Sequence, residues 1–587
     1  MSAHSPPTKV GTVAKIKRIF FLSICLVSVA AQTNFAQCLE TFRANGNATG
    51  GTDLFGNPVN NSKDAVGLTY EECTSLCGSG QQAFDWAVFS QQFSAWLLPW
   101  LALVSQLPFG ADTPDNLISV ILTVGSPTLA AFSLAITALN TKWANDRFSD
   151  IRYPNHKNAV KALICLQQVP LRLTTCGGLL ASLIVLPEND DWWKCLAKSL
   201  RKTHTWTIPP VTLIAWVITS FLLTVINTFM NPGTNVDESG QGVGTLWLWL
   251  VPIVTGWLWI PVYPRDKLTA AIGKANRIAY PSNPSDVGDP IPSRVQHGHA
   301  IITCQKREVC TQDAVRVPPV FNYARLWEWS SNVETIALAF ESAGRKAIGF
   351  ETVSSGKRWV DAEGIHRDNR TGTVSQVQAY CGFRMEAVKE PTQPVPSGMW
   401  KRILVASVFA LGLQWSTTGS AAIILLFTPT TGLGCRSAVY ILYGLISTII
   451  WLMLLSSSYL AHLAHCAKVR HSHEGRTRSG FNSANVAQGL AAFLRRSAVF
   501  LAVCNALCSI LAGVFQFSNF FGTCYCDSSV LGRGAQYAYN LIDSSSYDYR
   551  NLTAVWAAAV VLAGVYVILF LFSLHVILEP WNNAMNR

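Results

Sequence analysis

Between Asn116 and Leu139 the chain carries no Asp, Glu, Lys or Arg, over a length that an α-helix uses to cross a bilayer. Uncharged apolar runs recur at 209–230, 244–263, 403–427, 437–461, 497–521 and 554–578. In hydrocarbon every backbone N–H and C=O needs a partner within the protein, so such runs fold as helices. The expected fold is therefore an all-α membrane protein, a multi-pass helical bundle of about 7–9 spans with a small mixed cytoplasmic domain.

Composition supports this reading. Half of the 587 residues are hydrophobic and 13% are charged, roughly half the charged fraction of an ordinary soluble protein. The net charge of +11 gathers in particular loops between apolar runs, which is how cytoplasmic loops are marked. No Lys/Arg run alternates with aromatics in a way that suits stacked bases, so no nucleic acid is expected as a partner. The bilayer is.

At the N-terminus, Lys15-Ile-Lys-Arg18 precedes the apolar Ile19–Ala31. A basic n-region, a short apolar core and small residues at Val29 and Ala31 read as a signal peptide over 1–31. An uncleaved anchor is the alternative, although the run is short for a span. Residues 32–86 then form an extracytoplasmic region holding Cys38, Cys73 and Cys77. It also carries the sequons Asn47-Ala-Thr49 and Asn60-Asn-Ser62.

A first membrane region, 87–263, includes the loop 140–208, where ten basic residues face five acidic ones. The positive-inside bias places that loop in the cytoplasm. An odd number of crossings must separate it from 32–86. The candidates are 94–109, which contains Pro99 and Pro108 and can be re-entrant, 116–139, and 163–187. One full crossing is expected, with 159–187 lying on the inner membrane face or docked beneath the bundle. In 244–263, Trp247, Trp249, Trp257 and Trp259 sit two near each end, which reads as aromatic belts in preference to a ligand-stacking cage.

Residues 264–402, with nineteen basic and fourteen acidic residues, read as a cytoplasmic domain. Its helical stretch falls over 322–341 and a strand-like one over 348–360. Its sequon Asn369-Arg-Thr371 should stay unmodified. The second membrane region, 403–578, has an inner loop at 462–496 with six basic residues against one acidic. Its outer loop, 522–552, holds Cys524, Cys526 and the sequon at Asn551. Residues 579–587 form a cytoplasmic tail. The segments 264–402 and 462–496 are the surfaces offered to cytoplasmic protein partners.

This topology puts Cys38, Cys73, Cys77, Cys435, Cys524 and Cys526 on the oxidising side as disulfide candidates, with connectivity open. A metal there is the weaker alternative. The glycosylation candidates are Asn47, Asn60 and Asn551. The one histidine cluster, His462, His465, His471 and His473, has two members a turn apart but too few ligands for a strong metal signal. Its simpler reading is a juxtamembrane segment near anionic headgroups. The spans lack central ionisable residues, which weighs against ion-coupled transport. The polar exceptions Gln414, Asn505 and Gln516 are expected to bond between helices, and small residues such as Gly125, Ser126, Ala563 and Gly564 to permit close packing. No nucleophile-elbow, phosphate-loop or zinc-protease motif is present. No catalytic residue and no cofactor are called for.

The segments Leu122-Thr-Val-Gly-Ser-Pro-Thr-Leu-Ala-Ala-Phe, Leu179-Leu-Ala-Ser-Leu-Ile-Val-Leu-Pro-Glu-Asn-Asp-Asp-Trp-Trp and Leu246-Trp-Leu-Trp-Leu-Val-Pro-Ile-Val resemble a group of uncharacterised fungal polytopic integral membrane proteins with no assigned activity. The resemblance covers mainly 85–280 and implies an architecture without a catalytic residue. The role expected is a non-catalytic membrane scaffold or sensor in the secretory pathway or plasma membrane. A channel or facilitator for a neutral solute is the first alternative. A metal-dependent membrane enzyme using the cluster from His462 to Glu474 is the second.

Overall fold

The structure, a computed structural model, describes residues 32–586 except 47–48, 87–88, 91–92, 94–96, 108–112, 175–177, 201–206, 234–244, 283–298, 304–316, 362–364, 384–395, 397, 475–477 and 546. The expected signal segment, 1–31, lies outside the described residues.

A small cap opens the chain. Strand β1 (Gln32–Thr33) leads into helix α1 (Phe35–Ala44), whose Asn34 side chain accepts from the Gln37 N–H at 3.2 Å. Strands β2 (Gly51–Thr52) and β3 (Gly67–Thr69) precede helix α2 (Tyr70–Cys77), capped by Thr69 with Glu71 and Glu72 in its first turn. Acidic residues there favour the positive end of the helix dipole. Strand β4 (Gln81–Gln82) then runs parallel to β1. The other edge of β3 pairs antiparallel with Tyr539–Leu541, and Arg43 reaches Asp543 at 3.0 Å. The cap is thus assembled from two ends of the sequence around Phe35, Leu39, Phe42, Leu68, Cys73 and Cys524.

Next come α3 (Leu98–Ser105), α4 (Thr113–Gly125) and α5 (Pro127–Phe148). Helix α5 is buried nearly all round, and it packs against the later apolar helices at the centre of the molecule. That is why its sequence shows no one-sided apolar stripe.

The stretch expected as a possible third crossing, 163–187, is no span. It breaks into the end of α6 (His156–Cys165), strand β5 (Leu171–Leu173) and α7 (Leu179–Val185), followed by α8 (Asp190–Ser199). These elements are apolar because they line a second core, shared with residues 263–381. After α9 (Ile208–Met230) and α10 (Leu250–Trp259), the chain returns to that core as α11 (Arg265–Asn276), β6 (Ile301–Thr303), α12 (Leu326–Ile348) and α13 (Val374–Tyr380). Strand β6 pairs with β5, and Arg370 holds Asp190 through two bonds of 2.7 and 2.8 Å. The basic loop 140–208 and the domain 264–402, read separately from sequence, therefore make one polar domain. The strand-like 348–360 forms turns and extended loop, with no strand.

The remaining long helices are α14 (Met399–Phe427), α15 (Cys435–Glu474), α16 (Arg478–Phe517) and α17 (Arg550–Asn586). With α9 they provide five helices long and apolar enough to cross a membrane, or six if the bent pair α4–α5 is one span. The run 244–263 yields only a 3₁₀ turn and the ten-residue α10, about 15 Å of helix against a hydrocarbon layer of about 30 Å. The described residues thus hold fewer long spans than the 7–9 expected. The tryptophans of that run are not lipid-facing belts either: Trp247, Trp249 and Trp257 are buried within the protein.

Candidate functional site

The sequence Gly125-Ser126-Pro127 cannot continue a helix. Pro127 lacks an N–H and clashes with the preceding turn, and Ser126 leaves the helical region at φ −147°, ψ 85° to cap α5, accepting from the Leu129 N–H at 3.2 Å. The two helices meet at 108°. A break in a bundle core frees backbone groups that something else must satisfy.

Here the neighbouring helices supply it. Asn505 on α16 donates to the Gly125 carbonyl at 2.7 Å and to the Tyr443 carbonyl at 3.2 Å. Tyr443 on α15 donates its hydroxyl to the Val124 carbonyl at 2.7 Å. Ser126 donates to the Ser447 carbonyl at 2.7 Å, and the Ser447 hydroxyl meets Thr128 at 3.1 Å. Gly125 fits because a Cβ there would stand 2.2 Å from the Ala502 carbonyl oxygen. Asn505 does bond between helices. Gln414 instead donates within its own helix, to Thr418 at 2.8 Å. Replacing Asn505 with leucine is expected to lower stability by about 1–3 kcal/mol, because the opened carbonyl loses its donor. A shift in the thermal midpoint of the detergent-solubilised protein measures it.

Beside the break lies a recess lined by Trp100, Trp247, Trp249, Tyr440, Tyr443 and Ser509, among others. Trp247 Nε1 and Thr245 Oγ1 are buried next to it with no hydrogen-bond partner among the described residues. The space amounts to about 40 Å³, room for a few waters at about 10–15 Å³ each. Two of the four tryptophans read as belts from sequence, Trp247 and Trp249, therefore wall a narrow apolar recess.

From the break, a polar line follows α5 towards the polar domain. Thr137 accepts from Asn322 at 2.8 Å, and Asn140 accepts from Arg402 at 2.7 Å. The Arg402 guanidinium also lies 4.0 Å over the ring of Trp143. At the end of the helix Arg147 holds Glu334 and Glu341 of α12 at 3.1 and 2.9 Å. Next to this line Arg325, 1% exposed, donates to the carbonyls of Gln167, Val317, Pro318, Pro319 and Phe321. Sequence reasoning missed this line. Its signal was Ser133, Thr137, Asn140 and Thr141 recurring on one face of an otherwise apolar helix.

The other candidates are dispersed. His462 stacks on Trp327 at 5.5 Å between centroids, and its Nε2 lies 3.6 Å from Cys466 Sγ. His465 is exposed, and the side chains of His471 and His473 lie outside the described residues. Among the described residues the only cluster of metal-ligating type is Cys73, Cys77 and Cys524, at the other end of the bundle. There the structure joins Cys73 to Cys524 and Cys435 to Cys526, whereas Cys38 and Cys77 are unbonded. Asn60 and Asn551 are exposed, and Asn47 lies outside the described residues. Asn369 is 1% exposed, with its amide bonded to both backbone groups of Val360.

Compared with protein-family models, with curated proteins and with solved structures, the chain matches none.

Proposed function

We propose that this protein is a non-catalytic membrane scaffold or sensor, with the disulfide-bearing cap on the outer side and the polar domain in the cytoplasm. The observation that carries the reading is the continuity of α5. It starts at the capped break beside the recess and ends in the core of the polar domain, where Ala144 and Phe148 are buried. The α5–α12 ion pairs and the Arg325 cluster brace that joint. A displacement at the break is therefore transmitted to the domain through packed side chains instead of a loose linker. On the domain, Ile348 and Phe350 are 62% and 66% exposed, an apolar spot suited to a protein partner.

A facilitator for a neutral solute is the second reading, favoured by the broken helix, since discontinuous helices line the sites of many transporters. Tight closure at Gly125 and the small recess favour the scaffold. Reconstitution decides between them. Proteoliposomes containing the protein are expected to pass glycerol, urea and glucose no faster than protein-free vesicles, and saturable entry of any of the three replaces the scaffold reading with the facilitator. The partner test uses the full-length protein, because the core of 264–402 is incomplete without 144–200.

A further inference from the structure

Three sulfurs meet in the cap, and a fourth cysteine, Cys38, lies on the helix packed against them. Cys73 and Cys77 are four residues apart on α2 and share a face of that helix. The sulfurs of Cys73, Cys77 and Cys524 all lie within 4.8 Å of one another. Helix α1 packs on α2, and Thr33, just before α1, donates to the Cys77 carbonyl at 3.1 Å. The parallel pairing of Gln32 with Gln81 draws the two ends of this segment together. Cys38 thus lies on the helix packed against the one that carries Cys77, both thiols half-buried and unbonded, and burial together with the neighbouring Cys38 pushes the Cys77 thiol up from its ordinary range.

We propose that Cys38 and Cys77 are joined by a third disulfide in the mature protein, leaving the cap without a free thiol. The proposal rests on the reading that the cap faces an oxidising compartment. Cys73 and Cys524 are already bonded to each other, so Cys38 is the remaining cap partner for Cys77. The alternative use of four clustered cysteines, a tetrahedral zinc site, needs four thiolates. Two of these four sulfurs are oxidised.

The chemistry needs a disulfide-donating oxidoreductase as co-reactant. The Cys38 sulfur displaces one sulfur of the donor disulfide, giving a mixed disulfide, and the Cys77 sulfur then displaces the donor from it. One S–S bond forms in the cap and one is lost in the donor. The two protons released by Cys38 and Cys77 end on the donor's two sulfurs. A neutral, half-buried thiol such as Cys77 is a slow nucleophile, which is why a donor enzyme is specified in place of spontaneous exchange.

The test is peptide mapping of the full-length protein, alkylated in its membranes with N-ethylmaleimide before solubilisation and digested without reductant. Residues 64–141 contain no Lys or Arg, so trypsin leaves Cys73 and Cys77 on one peptide, and chymotryptic cleavage after Leu76 separates them. The expected result is a Cys38–Cys77 linked pair beside Cys73–Cys524 and Cys435–Cys526. Cys38→Ser should then expose one new alkylatable thiol, at Cys77. Alkylated Cys38 and Cys77 with the other two bonds intact overturns the proposal while the orientation stands. Linkage of Cys77 to Cys73 or Cys524, or one zinc per chain with all four thiols reduced, also overturns it. Alkylation of all six cysteines overturns the orientation as well, so the two failures are distinct.

Discussion

Replacement of Arg325 by methionine is expected to lower stability by about 3–5 kcal/mol. The guanidinium is buried, and its donors serve four closely spaced carbonyls of the 317–321 turn and that of Gln167. Methionine fills much of the volume but leaves those oxygens without their charged donor. Arg325→Lys should fare little better, because one ammonium cannot reach acceptors spread around a planar fork. Arg367→Met is the control: its side chain is 73% exposed and 3.9 Å from Glu188, and an exposed pair of this kind contributes about 0–1 kcal/mol. Thermal midpoints in detergent, read by size-exclusion recovery after heating, separate the two. Equal midpoints for Arg325→Met and Arg367→Met would show that the joint between bundle and domain does not depend on this cluster.

The second large effect is expected at the break. In Gly125→Ala the new methyl would stand 2.2, 2.8 and 2.9 Å from the carbonyl oxygen, carbonyl carbon and Cα of Ala502. Those are backbone atoms of α16, and they cannot swing aside as a side chain does. Overpacking of this kind costs about 3 kcal/mol at the upper end of its usual range, here by prying α4 from α16. Gly564→Ala makes the same chemical change where nothing lies within 4 Å. It should be neutral, or stabilising by about 0.5–1 kcal/mol, through the better helix propensity of alanine. If both variants melt together with the wild type, the tight seam between α4 and α16 is wrong.

Much of the bundle was legible because lipid imposes a crude rule. Uncharged runs long enough to cross became helices at 208–230, 399–427, 435–474, 478–517 and 550–586. The same rule misled where an apolar run has another cause. Residues 163–187 are apolar because they fill the core of the polar domain, and periodicity alone cannot tell a buried segment from a membrane segment. The tryptophans of 244–263 followed a belt-like spacing, yet their neighbours are protein side chains. Union of 140–208 with 264–402 depends on β5 meeting β6 and Arg370 meeting Asp190, pairings of distant residues that no local pattern encodes. Likewise Gly125-Ser126-Pro127 carries a readable helix stop, but Asn505, which satisfies it, lies 380 residues away.

Orientation underlies the whole functional reading, and sugar attachment reports it directly. Expressed in a glycosylating host, the full-length chain should lose mass on endoglycosidase treatment, and the shift should disappear in three steps as Asn47, Asn60 and Asn551 are changed to glutamine. Asn369→Gln should leave the sugar-dependent mass shift unchanged. No shift from the first three sites, together with a sugar found at Asn369, would put the polar domain outside and contradict the account.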